Sequence, residues 1–239
     1  MKQGLRFLIA LMIIILLPGC MYPDSQSGSG NITTGEYIVV VENAVQAYHK
    51  RTGVLPIHNS TLDTPIYEKY RIDFKLLRDY NLISRIPPDA FEEGGNYYYM
   101  IVNPEAGMHV KLLDLRVSQA AADLQRLIDN YELREGRLPL GERKNAQFYQ
   151  VDYKLLHMKQ QQVKSVYSGQ YLTYLLHESG QLAIEYAPDI MQAIQMNGNQ
   201  EPDSSSDLRA LLIEQVPFIP VASYPYRWEN SEPLIYASE

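Results

Sequence analysis

The chain has 239 residues, a formal net charge of −7 and a single cysteine, Cys20. One cysteine forms no internal disulfide, and five scattered histidines supply no Cys/His metal framework. The acidic balance disfavours nucleic acid and other extended polyanions as ligands.

At the N-terminus, Lys2 and Arg6 flank the start of an unbroken apolar run from Phe7 to Leu17. A stable membrane span takes about 20 residues. The run is shorter and suits the core of a cleaved export signal. Leu17-Pro18-Gly19-Cys20 follows and reads as a bacterial lipobox. Residues 1–19 are therefore expected to leave as a lipoprotein signal peptide, and Cys20 to become a diacylglycerol-modified N-terminus. Two acyl chains meet the requirement for stable anchoring. The predicted address is the extracytoplasmic face of the cell membrane, with palmitate-type acylation. Loss of Lys2 and Arg6 takes the formal charge from −7 to −9.

Residues 20–34 are rich in Ser and Gly and are expected to form a flexible tether. Similar composition at 196–206 predicts a mobile surface loop. The body between them repeats itself. At a shift of 83, Tyr48 falls on Tyr131, Gly53 on Gly136, and Leu55-Pro56 on Leu138-Pro139. Apolar residues at helical spacing superpose as well, so each stretch is predicted as a helix stopped by its glycine. Thr33 with Glu36 offers a capping box for the first helix, and Ser118 a cap for the second. At a shift of 79, Tyr70 to Leu77 (YRIDFKLL) resembles Tyr149 to Leu156 (YQVDYKLL), so the first copy holds a longer loop near HNSTLDTP. Asn96 to Leu113 and Gln170 to Tyr186 each read as a β-hairpin. A capped helix from Asp207 to Val216 and a hairpin around Glu229-Asn230-Ser231 close the chain. The predicted fold class is α+β: two tandem helix–turn–β-hairpin units, residues 35–117 and 118–195, with an abbreviated third at 207–239, packed as one body.

The lipobox, GCMYPD from Gly19 to Asp24, the Y-x-x-x-x-G-x-L-P stretch, IDFKLL, and GGNYYYMIV followed by VKLLDLR carry a resemblance. The chain resembles membrane lipoproteins of Bacillus-type Gram-positive bacteria, some of them labelled transporter-associated binding proteins. The likeness covers most of the expected mature chain and implies no established activity. The helix ending in Y-x-x-x-x-G-x-x-P before a small sheet is also similar to pseudopilin heads, as packing logic.

Tyrosine is abundant, 19 residues against one Trp. Strand alternation that buries Tyr97 and Tyr99 would turn Tyr98 outward. Tyr98, Tyr224, Tyr226 and Trp228 are the binding candidates, since Tyr and Trp join an apolar face to a polar tip. The competing role is cross-strand packing. Asp73 and Asp152 recur in both units, which points to a turn cap rather than a single catalytic site. Asp89, Glu92 and Glu93 form an acidic loop, read as solvated. The alternatives there are acid–base work on a glycan and weak calcium binding. P-loop, dinucleotide-fold and serine-elbow motifs are missing. The chain is thus expected to be non-enzymatic, without cofactor, metal or catalytic residue. It reads as a binding or scaffolding lipoprotein that meets the membrane through its diacylglycerol and an envelope protein or glycan through its surface. The alternatives are a solute-binding lipoprotein of a transporter and a cell-wall glycan hydrolase.

Overall fold

The computed structural model describes residues 29–61, 64–105, 107–198, 201–203 and 206–237. The chain divides into two units, Met1–Thr34 and Gly35–Glu239. Of the first, residues 29–34 are described, as helix. The expected signal segment and Cys20 lie outside the described residues, as does part of the expected 196–206 loop. No helix among the described residues is long and apolar enough to cross a membrane.

The fold is α+β, as expected. Helix α1 spans Ser29–Thr52. The expected capping box at Thr33 and Glu36, and the last residues of the expected tether, therefore lie inside it. A local cap signal is worth about 1 kcal/mol, and a helix already held by packing extends at little cost. α1 buries Val41, Ala44, Val45 and Tyr48 along one stripe. Gly53, at φ 75°, stops it, and its N–H donates to the His49 carbonyl at 2.8 Å. After Leu55-Pro56, Ile57 bridges Ile72. Asp73 then starts helix α2 (Phe74–Asp79), its Oδ1 accepting the Lys75 and Leu76 N–H groups at 2.9 and 3.4 Å. The Asp73 N–H donates to the Pro56 carbonyl at 2.8 Å.

The same arrangement returns after helix α3 (Leu115–Glu135). Gly136, at φ 66°, donates its N–H to the Glu132 carbonyl at 2.8 Å. Asp152 Oδ1 accepts the Lys154 and Leu155 N–H groups at 3.0 and 3.3 Å, and the Asp152 N–H reaches the Pro139 carbonyl at 2.8 Å. The second stretch makes only a turn, not a helix. It leaves through the left-handed His157 (φ 53°), one turn sooner than the first leaves through Asn81 (φ 54°). α3 is capped by Asp114 rather than by the expected Ser118. Asp114 Oδ1 accepts the Arg116 N–H at 2.9 Å, because the preceding strand runs straight into the helix.

Strands β1 (Tyr97–Val102) and β2 (His109–Asp114) form the first hairpin, with Tyr99 opposite Leu112. Both its faces are covered. Tyr99, Ile101, Val110 and Leu112 pack on the α1–α2 core. Met100, Val102 and Leu113 pack on Ile213, Ile219 and Val221. The second sheet contains β3 (Leu140–Arg143), β4 (Phe148–Val151), β5 (Gln162–Lys164), β6 (Tyr171–His177) and β7 (Leu182–Ile184). β6 pairs with β4, β5 and β7, all antiparallel. Helices α4 (Ala187–Met196) and α5 (Arg209–Gln215) follow, then the hairpin β8 (Tyr226–Glu229) and β9 (Glu232–Ile235). Asn230 and Ser231 join the last two strands with φ of 52° and 63°, the signature of a two-residue type I′ turn.

One irregular segment crosses between the two sheets. Pro217 and Ile219 bond Leu112 of β2 from both sides, at 2.8 and 2.9 Å, and the Ala222 carbonyl accepts the Ile184 N–H of β7 at 2.9 Å.

Candidate functional site

Of the four expected binding residues, Tyr226 is fully buried. Its hydroxyl accepts the Tyr186 N–H at 2.8 Å, and burial raises its phenol far above the ordinary range. It belongs to the core, not to a surface. Trp228, two residues on and on the same strand face, is half-buried against that core. Tyr224 is half-buried, its ring edge-on to Phe148 at 4.9 Å and stacked on His177 at 5.3 Å. The last hairpin thus closes over the second sheet. Tyr98 does not face open solvent either: it packs at the rim of the cluster containing Met100 and Leu113. The sequence cue for this was the continuous run YYYMIV. A strand with two covered faces is apolar throughout rather than alternating.

Tyr98 nevertheless borders a groove of about 440 Å³. Its floor is Met100 and Leu113, and one wall is the loop carrying Ser60, Thr61 and Thr64. The backbone holds Arg71 over it. Arg71 bridges Met100 at the edge of β1, and its carbonyl accepts the His58 N–H at 2.9 Å. The guanidinium then lies 4.6 Å from the Tyr98 ring centroid, within cation–π range. Phe91 meets the same ring edge-on at 5.1 Å. Lys69 and His58 also line the groove, and His58 Nδ1 stands 3.9 Å from Asp73 Oδ2. Arg71 and Lys69 have no carboxylate partner among the described residues. Glu68, the acidic residue of this lining, is turned to the Ala222 N–H, which Oε1 accepts at 3.1 Å; burial raises its carboxyl.

A second groove, about 550 Å³, lies beside Ile66, Leu182, Arg209 and Tyr224. Here the cation is already satisfied. Arg209, 5% exposed, binds both Asp207 oxygens, the Ser223 carbonyl at 2.8 Å and Ser223 Oγ at 3.0 Å. It also lies 4.8 Å from the Tyr67 ring. Burial and the Asp207 charge push the Tyr67 phenol up to about 12. Arg209 is a clamp between the 66–68 turn and the C-terminal segment.

Four buried or half-buried aspartates are engaged structurally. Asp73 and Asp152 cap turns, and Asp89 accepts the Tyr99 hydroxyl at 2.8 Å. Glu92 and Glu93 are exposed in a short 3-10 turn. Asp189 is buried, its Oδ2 accepting the Ser165 hydroxyl at 2.7 Å. Among the described residues, no three His, Cys, Asp or Glu side chains converge as a metal site would require. Arg71, Arg209 and Asp189 escaped the sequence reading. Arg71 had a signal: within YRIDFKLL it stands opposite Gln150, whereas the other two departures, Ile72 to Val151 and Phe74 to Tyr153, keep the residue type.

The YphF family N-terminal domain matches residues 34–114. The matched stretch opens inside α1 and closes on the last residue of β2. Over that third of its length the chain is similar to that domain. No curated protein and no solved structure matches the chain.

Proposed function

We propose that this chain is a lipid-anchored, extracytoplasmic protein of a Gram-positive cell membrane that binds or scaffolds an envelope component without catalysis. The observation that carries the anchoring is the lipobox Leu17-Pro18-Gly19-Cys20 behind a basic residue pair and a short apolar run. Two features support the binding role. The acidic side chains that a glycan hydrolase would use are engaged as caps and turn residues or stand exposed in a 3-10 turn. The groove at Tyr98 holds two cations, Arg71 and Lys69, that have no carboxylate partner among the described residues. The repeated Gly, Leu-Pro and Asp geometry of residues 53–76 and 136–155 further supports a tandem duplication, in which the scaffold was kept in both copies and the groove belongs to the first.

The test is labelling of growing cells with radioactive palmitate, followed by in-cell crosslinking and mass spectrometry. The wild-type chain is expected in the membrane fraction with label. Cys20→Ala is expected to lose the label and the crosslinked partners together. Label retained by Cys20→Ala, or a wild type that recovers nothing above background, sinks the proposal.

A further inference from the structure

The groove beside Tyr98 is made from what the first half of the chain has and the second half lacks. One wall carries Ser60, Thr61 and Thr64, from the region near which the first copy is four residues longer. Its cation, Arg71, is Gln150 in the second copy. Its aromatic ring is replaced as well. Arg71 bridges Met100, and Gln150 pairs with Leu175, so Tyr98 corresponds to Thr173, which bonds Glu185 at 2.9 Å. The capping aspartates and stop glycines survive in both halves, whereas the groove's cation Arg71 and its aromatic ring Tyr98 occur in the first alone.

The chemistry of the lining selects a ligand class. Arg71 presents a planar fork of N–H donors, suited to two oxygens of one carboxylate or phosphate. Lys69 adds a point charge. Hydroxyls of Ser60, Thr64 and Ser118 ring the same space, while Met100 and Leu113 floor it. About 440 Å³ is at the lower end of ligand clefts, which run from about 300 to 1,000 Å³. It exceeds what a bare inorganic anion fills. The acidic surface of the chain does not forbid this. Screening at physiological salt acts over ~8 Å, so a long polyanion feels the net charge and a small anion feels the two cations beside it.

Resting on the binding role proposed above, we propose that the Arg71–Tyr98 groove binds a sugar bearing one carboxylate or phosphate. The anion sits on Arg71 and Lys69, and the sugar ring lies beside the stacked Arg71–Tyr98 pair, along the hydroxyl-bearing wall.

Isothermal titration of the full chain in detergent, at constant ionic strength, tests it with four probes: glucuronate, glucose 6-phosphate, glucose and inorganic phosphate. Saturable binding of one or both charged sugars is expected, at least tenfold tighter than glucose or phosphate alone. The tighter of the two tells carboxylate from phosphate. Arg71→Gln is expected to weaken it tenfold or more with an unchanged circular dichroism spectrum. Lys69→Gln, whose side chain anchors nothing in the core, is expected to weaken it three- to tenfold and serves if Arg71→Gln fails to fold. Arg78→Gln, exposed on α2, is the control. Absence of saturable binding, phosphate binding as tightly as the sugars, or equal binding by Lys69→Gln and the wild type overturns the assignment. None of these results touches palmitate labelling or partner crosslinking, so failure of the ligand class and failure of the anchored binding role are read separately.

Discussion

Asp73 and Asp152 each do the same small job: one carboxylate oxygen caps two N–H groups while the backbone N–H ties back to a Leu-Pro carbonyl. Removing either carboxylate by substitution to Ala is expected to cost about 1 kcal/mol, measured by urea denaturation. The two effects should add in the double variant because they share no partner. A loss below a few tenths of a kcal/mol in both would show that the caps are ornamental. Asp189 is a different case. It is 2% exposed, Oδ1 has no hydrogen-bond partner, and its carboxyl is raised, first by burial and against the pull of the Ser168 and Ser165 hydroxyls. A carboxyl raised in the folded state binds its proton more tightly there than when unfolded. Its stabilising contribution is complete below the unfolded value of about 3.9 and declines as pH rises through the folded value. Asp189→Asn should abolish that decline. Denaturation curves from pH 4 upward are expected to show wild-type stability falling relative to the variant, and parallel curves would refute the account.

Individual elements explain why Tyr226 left the list of binding residues. A hairpin with a type I′ turn puts residues 226 and 228 on one face, and that face lies on the second sheet. Tyr226→Phe leaves the buried Tyr186 N–H without its acceptor, and a cost of about 1–3 kcal/mol is expected. A change within a few tenths of a kcal/mol would mean that the hydroxyl is not needed there. The Asp89–Gly95 stretch looks in sequence like a solvated acidic loop. In the fold Glu92 and Glu93 are exposed, and the stretch that carries them is a built turn. The Gly95 N–H donates to the Ala90 carbonyl at 2.9 Å, and a Cβ on Gly95 would sit 2.0 Å from the Asp89 carbonyl oxygen. Gly95→Ala is therefore expected to cost at least about 2 kcal/mol and to disturb the start of β1, as read by amide exchange of Tyr97 to Tyr99. A variant as stable as the wild type would contradict this contact.

At the scale of the whole body, Gly35–Glu239, the segment Pro217–Ala222 matters most. It bonds β2 through Leu112 and β7 through Ile184, and Phe218 packs edge-on against Tyr97 at 5.5 Å. The C-terminal part is thus a tie between the two hairpins rather than a spare third unit. A chain ending at Asn197 is expected to lose its cooperative thermal transition, followed by near-ultraviolet circular dichroism. A truncated chain that still melts cooperatively near the wild-type temperature would overturn that role. The features legible in the sequence are those decided within a few neighbouring residues: Gly53 and Gly136 as helix stops, Asp73 and Asp152 as caps, the three hairpins and their turns, and the α+β class they compose. They are legible because capping, left-handed φ and side-chain alternation act over one or two turns of chain. Which faces those elements turn to each other was left to the tertiary structure. It covers both faces of β1–β2, takes Tyr226 inside, starts α3 at Asp114 instead of Ser118, and brings Arg71 over Tyr98 from 27 residues away. Such pairings depend on where distant apolar surfaces can be buried together, and burial is non-directional and blind to separation along the chain.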